Sequence, residues 1–302
     1  MNKIILIFGP TASSKSRIAI EVSKRFGCEI INADSRQFFK YMEIGTASPT
    51  EEEREMAVHH LYNILLPDEK INAGKFIRMA DERILDVIDR NKIPLIVGGT
   101  GLYIKALIGG IAPIPDIPEE FRRLAKEIIR EKGLSYCYEL LIKSDPEYAI
   151  KISKTDSQRI ERALEVLLFT KQGFSQFHKS HRFNQKRYEH ISIRIIPDRE
   201  ILYKRIEKRT EDIFKNGIIE ETKFLMENDY IDSHAFNAIG YYETYRYIKN
   251  EIELKDAIEM TARRTRQYAK RQMTWFRHSE GKIFNGIESI DEIFRYIEIC
   301  LK

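Results

Sequence analysis

Over the first third of the chain, short apolar runs that stop at glycine or small polar residues alternate with longer stretches of helical spacing. Lys3–Phe8 (KIILIF) is rich in β-branched residues and ends at Gly9-Pro10, after which Ile18, Ala19, Val22 and Phe26 recur at the helical period. Cys28–Asn32 (CEIIN) reads as a second strand followed by Ala33-Asp34-Ser35, and Ile93–Val97 (IPLIV) as a third, stopped by Gly98-Gly99-Thr100-Gly101. Between them, Lys75–Arg90 sets Phe76, Met79, Ala80, Ile84, Leu85, Val87 and Ile88 close to a period of about 3.6, which predicts an amphipathic helix. Buried strands that end in polar or glycine-rich loops predict a parallel sheet flanked by helices, an α/β fold.

The pattern changes at Ile111–Pro118 (IAPIPDIP), where Pro113, Pro115 and Pro118 exclude a continuous helix and mark a hinge. Residues 119–177 are then helical in pattern, including Gln158–Phe169, and the next strand is Ile191–Ile196. The expected organisation is a core of residues 1–115 and 190–302, with C-terminal helices, interrupted by an all-α insertion at 116–189. After Pro197 the chain is helical again, through Glu200–Thr210 and Asp256–Arg277.

With 302 residues, 43% hydrophobic and 32% charged, the chain is too apolar for disorder and, with 15 Gly and 9 Pro, unsuited to a fibre. Cys28, Cys137 and Cys300 are odd in number and form no CxxC pair, which argues against disulfides or a zinc site and for a reducing cytoplasm. The apolar start Ile4–Phe8 is too short for a signal or a membrane span, so no membrane partner is expected, and a monomer is the default. His59-His60 and His178/His181 lack Cys or acidic companions at ligand spacing. The net charge of +4 conceals a division along the chain. Residues 151–210 hold 15 Lys/Arg against 7 Asp/Glu, 211–260 hold 5 against 12, and 261–277 hold six basic residues and no acid. Basic stretches interleaved with Phe, Tyr, Trp and His point to a polyanionic partner such as nucleic acid.

The first candidate for chemistry is Gly9-Pro10-Thr11-Ala12-Ser13-Ser14-Lys15-Ser16, which follows a strand and opens a helix as a P-loop does. Its amides and the positive helix end would cradle a di- or triphosphate, with Lys15 on a terminal phosphate oxygen and the Ser16 hydroxyl on Mg²⁺. Ser14 stands where the second glycine of the pattern belongs, and a positive φ there would cost about 1–3 kcal/mol. The Mg²⁺-binding acid of an ATPase is missing, because Ile93–Val97 ends in glycines. Asp34, at the end of the second strand, falls on the sheet edge where α/β folds bind ligands and suits a general base. On these residues alone, a P-loop kinase using Asp34 to activate a hydroxyl and an RNA-binding protein with a decayed loop both stay open.

Several segments together resemble the tRNA dimethylallyltransferases, also called tRNA isopentenyltransferases, of bacterial type. They are GPTASSKS, Asp34-Ser35-Arg36-Gln37 with Ile44-Gly45-Thr46-Ala47, Val97–Tyr103 (VGGTGLY), Asp156–Glu165 (DSQRIERALE), Ala238–Glu243 (AIGYYE) and Thr265–Arg277 (TRQYAKRQMTWFR). Ser14 and Phe39, which stands where the family has tyrosine, depart from the pattern. The chain closes soon after TWFR without the zinc finger that eukaryotic relatives often append.

The resemblance implies a P-loop NTPase-like fold with a helical insertion that grips the anticodon stem. It implies transfer of a dimethylallyl group from dimethylallyl diphosphate to N6 of the adenosine 3′-adjacent to the anticodon, in tRNAs reading codons that begin with U. The loop would then hold the donor's diphosphate, which accounts for the missing ATPase acid. By the same carry-over, Asp34 would accept the N6 proton, while Lys15, Ser16 through Mg²⁺, Thr100 and Arg209 stabilise the departing diphosphate. It also implies tRNA contacts from Asp34, Ser35, Arg36, Gln37, Thr100 and Arg122, and from Gln158, Arg159, Ile160, Glu161 and Arg162. Further contacts would come from Asn237, Ala238, Ile239, Gly240, Tyr241 and Tyr242, and from Lys270, Arg271, Gln272, Met273, Thr274, Trp275, Phe276 and Arg277. Trp275 and Phe276 suit either base stacking or a core.

Overall fold

The structure, a computed structural model, describes residues 3–181 and 186–302. It divides into two units, Met1–Ile108 with Arg187–Lys302, and Gly109–Lys186. The sequence pattern puts these boundaries at 115/116 and 189/190.

The larger unit begins with β1 (Lys3–Phe8), α1 (Lys15–Phe26) and β2 (Cys28–Asn32). Two short helices, α2 (Glu43–Thr46) and α3 (Glu51–Met56), lead to β3 (His59–His60), α4 (Ala73–Asp89), β4 (Ile93–Gly98) and α5 (Gly101–Gly109). The smaller unit holds α6 (Glu119–Lys132), α7 (Leu134–Ser144), α8 (Pro146–Ala149), α9 (Ser157–Thr170) and α10 (Phe174–His181). The chain returns through β5 (Glu189–Ile195), α11 (Arg199–Lys215), α12 (Ile218–Glu227), α13 (Tyr241–Ile248), α14 (Leu254–Arg277), β6 (Lys282–Phe284) and α15 (Ile290–Leu301). No helix among the described residues is long and apolar enough to cross a membrane.

The six strands form one sheet in the order β3-β2-β4-β1-β5-β6, with every neighbour pair parallel. The α/β expectation holds, and β1 and β2 fall on the predicted residues. The pattern misses β3 and β6, because two- and three-residue strands are too short to show a period. On one face, Ile5, Ile7, Leu95, Val97 and Ile193 pack against Ile18 and Val22 of α1 and Ile293 and Ile297 of α15. On the other, Phe8 meets Phe276 of α14 at 5.2 Å between ring centroids, and α4 lies against β2 and β4. Phe39 is a core residue here, only 1% exposed.

The smaller unit has its own core, in which Ala125, Cys137, Leu141, Tyr148, Ile160, Ala163 and Leu164 meet. Asp145 opens α8 by accepting from the Tyr148 amide at 3.2 Å and also from the Ser175 amide at 2.8 Å, tying α8 to the start of α10. The side chain of His181 lies outside the described residues. Among the described residues, no group of three or more His, Cys, Asp or Glu is placed to hold a metal ion.

Close approach at the strand ends leaves no room for side chains. A Cβ on Gly98 would overlap the backbone of Ala33 at the end of the neighbouring strand. Gly98→Ala is therefore expected to destabilise the protein by about 1–3 kcal/mol through overpacking. Urea unfolding of the two forms checks this, with a lower midpoint for the variant.

Candidate active site

All strands are parallel, so β1, β2 and β4 end on one edge and release their loops side by side. Phe8 pairs with Gly98 and Asn32 with Val97, which sets loop 9–14, loop 33–37 and Gly99-Thr100 next to each other. Backbone bonds lock them together. The Thr100 Oγ1 accepts from the Ser35 amide at 2.9 Å, and the Thr100 amide donates to the Ala33 carbonyl at 3.3 Å. Asn32 is fully buried and accepts from the Asp34 amide at 2.7 Å, while its own Nδ2 donates to the Leu61 carbonyl at 3.0 Å. The Asp34 Oδ1 accepts from the Arg36 amide at 3.0 Å, which fixes the carboxylate over the turn.

Three cations share the field of that carboxylate. Burial pulls the Lys15 ammonium down to about 8, with Asp34 opposing the shift and Arg209 adding to it. Burial also lowers the Arg209 and Arg36 guanidinium groups, again opposed by Asp34. Asp34 therefore offsets part of the cost of crowding positive charge at the phosphate loop. The Lys15 Nζ donates to the Pro10 carbonyl at 2.7 Å, and the Arg209 Nη2 to the Thr46 carbonyl at 3.1 Å. Thr11, Asp34, Arg36, Arg209, Tyr268 and Arg271 line a cavity of about 320 Å³. Burial and the nearby Asp34 raise the Tyr268 phenol, keeping it a neutral donor.

Residues 9–14 link β1 to the head of α1, the strand–loop–helix context that the sequence predicts, at a conformational cost. Ala12 and Ser14 adopt left-handed backbone angles, with φ of 60° and 69°. Ser14 precedes the first residue of α1 and its hydroxyl caps nothing, so the left-handed angle is not offset by a bond. Ser13 is fully buried and its Oγ has no hydrogen-bond partner within the described residues. Ser16 is exposed at the head of α1.

The structure brings Asp34, Ser35, Arg36, Gln37, Thr100, Arg209 and the phosphate loop together, with Asn237–Gly240 and Arg271 on the same cavity or its rim. Gln37 fixes part of that rim, donating to the Thr46 and Ala47 carbonyls at 3.2 and 2.7 Å. On α14, Lys270, Arg271, Thr274, Trp275 and Arg277 are exposed. Phe276 is 1% exposed and packs on Phe8, so it is a core side chain and not a stacking platform. Met273 packs against Leu202, Ile206 and Ala269, and Gln272 is 5% exposed. Tyr241 is fully buried with its hydroxyl on Glu221 at 2.6 Å, and Ala238 is also buried. The side chains of Phe276, Met273, Gln272 and Tyr241 pack within the frame. In the smaller unit Ile160 is core, whereas Gln158 and Arg159 are exposed and Arg122 sits 3.6 Å from Glu119. Arg205, four residues before Arg209 on α11, pairs with Glu288 at 3.5 Å.

Two further carboxylates, Glu221 half-buried and Glu243 fully buried, brace the cavity. Glu221 accepts from the Ile44 and Gly45 amides, each at 2.9 Å, and burial raises its carboxyl against these bonds. Glu243, fully buried, accepts from the Gly240 amide at 2.9 Å and from Arg264. Gly45, held by Glu221, and Gly240 and Arg264, held by Glu243, all line the cavity. The sequence signal for Glu243 was its place three residues after Gly240, a helix-start spacing; Glu221 had none. Thr261 also lines the cavity, and its buried Oγ1 has no partner within the described residues.

The family model described as IPP transferase matches residues 37–279. The chain belongs to the IPP transferase family. A tRNA dimethylallyltransferase of Thermoanaerobacter sp. (strain X514) is 45% identical over 91% of this chain and 89% of its own length. One from Geobacter sulfurreducens is 41% identical over 91% and 89%. Among solved structures, a tRNA delta(2)-isopentenylpyrophosphate transferase of Staphylococcus epidermidis superposes with a TM-score of 0.71 at 36% identity, covering 98% of this chain and 99% of that one. A eukaryotic dimethylallyltransferase acting on tRNA superposes with a TM-score of 0.80 at 29% identity, over 91% of this chain and 69% of its own. The phosphate loop and Asp34 lie just upstream of the segment that the IPP transferase model matches.

Because Ser14 is left-handed and caps nothing, Ser14→Gly is expected to stabilise the protein by about 1 kcal/mol, the relief of φ exceeding the entropy cost of glycine. Ser14→Val is expected to destabilise it, since a β-branched residue resists that region. Denaturant midpoints of the three forms check both signs.

Proposed function

We infer that this IPP transferase family member moves the dimethylallyl group of dimethylallyl diphosphate to N6 of the adenosine 3′-adjacent to the anticodon, in tRNAs that read codons beginning with U. The observation that carries the chemistry is the single carboxylate, Asp34, held by its turn in one cavity with Arg209 and beside the phosphate loop with Lys15. N6 attacks the allylic C1, the C1–O bond breaks, and its electron pair leaves with diphosphate. The proton lost from N6 passes to the Asp34 carboxylate. Loop amides at the head of α1, Lys15 and Arg209 stabilise the negative charge that grows on the leaving oxygen. Thr100 holds Ser35, and through it the turn that carries Asp34.

Mg²⁺ fits this arrangement only together with diphosphate. The exposed Ser16 hydroxyl offers a hard oxygen donor, and among the described residues no acidic or His cluster would hold the ion alone. When bound, Mg²⁺ would neutralise diphosphate charge. The exposed Lys270, Arg271 and Arg277 of α14 suit tRNA phosphates, as do Gln158 and Arg159 of the smaller unit. The target base must leave the anticodon stack to reach Asp34. A cytoplasmic monomer is the state this reading assumes.

Incubation with Mg²⁺, dimethylallyl diphosphate and unmodified tRNA, followed by nucleoside mass analysis, is expected to yield N6-dimethylallyladenosine at the position 3′ of the anticodon. Asp34→Ala is expected to lower turnover by about 10²–10⁴-fold with tRNA affinity nearly intact. Normal turnover in that variant removes Asp34 as the base. Lys15 loses its proton near pH 8 in the free protein, and bound anion favours the ammonium. Donor affinity is therefore expected to fall as pH rises above about 8, with proton uptake on binding. Calorimetry in buffers of different ionisation enthalpy measures that uptake, and Lys15→Met is expected to abolish it.

A further inference from the structure

The helix α14 presents two different faces. Lys270, Arg271, Thr274, Trp275 and Arg277 are exposed, whereas Ala269, Gln272 and Phe276 recur at helical spacing on the buried side. Gln272 sits inside the basic run, yet both ends of its amide are used within the fold. Its Oε1 accepts from the Thr11 amide of the phosphate loop at 2.8 Å, and its Nε2 donates to the Gly99 carbonyl at 2.9 Å. A Cβ on Gly99 would collide with that Nε2, so glycine is needed for the bond to form. Gly99 directly precedes Thr100, whose hydroxyl holds Ser35 beside Asp34.

We propose that Gln272 is a positioning residue of the diphosphate site, the cross-link that holds the phosphate loop in register with the Thr100 loop, and is not an RNA contact. Glutamine is required because one end must accept and the other donate. A carboxylate keeps the bond to Thr11 but has no donor for Gly99, and a thioether has neither. With the link removed, the half-buried Thr11 amide and the buried Gly99 carbonyl lose these partners, and the loop loses the anchor that aims its remaining amides. The RNA-facing residues on the opposite side of α14 are untouched by the change. Only the identity of the donor rests on the transferase reading; the anion-binding role does not.

The test uses inorganic diphosphate with Mg²⁺ as one probe and an unmodified anticodon stem-loop as the other, each titrated calorimetrically into the full chain. Gln272→Ala and Gln272→Glu are expected to weaken diphosphate binding by about tenfold or more, with stem-loop affinity changed less than about twofold. Gln272→Glu nearly preserves size, so it guards against a loss that merely reflects a cavity, and circular dichroism melting verifies that both variants are folded. Lys270→Ala, at an exposed position of α14 off the cavity lining, is expected to give the converse split, weaker stem-loop binding and a shallower salt dependence with diphosphate binding intact. Loss of stem-loop affinity with normal diphosphate binding in the Gln272 variants would overturn the proposal, as would equal losses in both or no change in either. Should the native chain bind diphosphate yet form no dimethylallyladenosine, the transferase reading fails while the Gln272 assignment is still decided.

Discussion

One carboxylate among three cations is the interaction on which this site depends. Asp34 opposes the burial that lowers Lys15, Arg209 and Arg36, and the repulsion that Arg209 adds at Lys15. The same oxygen atoms are the acceptors available to a nucleophile's proton. Charge balance and, in the proposed reaction, proton transfer thus draw on one group, and its position is fixed by Asn32 and the Arg36 amide. The parallel register of β1, β2 and β4 makes the arrangement possible by delivering the three loops to a single edge.

Around that edge the fold uses long-range polar bonds where local turns would not suffice. Glu221 of α12 holds Ile44 and Gly45, and Gln272 of α14 holds Thr11 and Gly99. Each of the two side chains satisfies backbone groups of a segment far away in the chain, where an unpaired group would be costly. The C-terminal helices therefore build the walls of a site whose charged floor comes from the N-terminal strands. The left-handed Ser14 shows that the loop tolerates local strain when its flanks are clamped in this way.

The strands and the phosphate loop were legible in the sequence because their signals are local: β-branched runs that stop at glycine, then a lysine and a serine opening a helix. Asp34 was legible as a candidate by its place at a strand end. Arg209 was not, since its spacing with Arg205 reads equally as a solvated face, and only the family resemblance singled it out. The burial of Phe276, Tyr241, Ile160 and Gln272 was not legible, because motif membership does not separate a buried position from an exposed one. Glu221 left no sequence trace, because its partners lie in the short helix α2, about 180 residues earlier in the chain.

The most direct test of the central claim is a crystal structure of the chain with Mg²⁺, inorganic diphosphate and an unmodified anticodon stem-loop. The account predicts diphosphate oxygens within hydrogen-bond reach of the Lys15 Nζ and the Arg209 guanidinium, and a flipped-out adenine with N6 directed at the Asp34 carboxylate. Diphosphate bound away from the phosphate loop, or an adenine whose N6 faces any group other than Asp34, would contradict it.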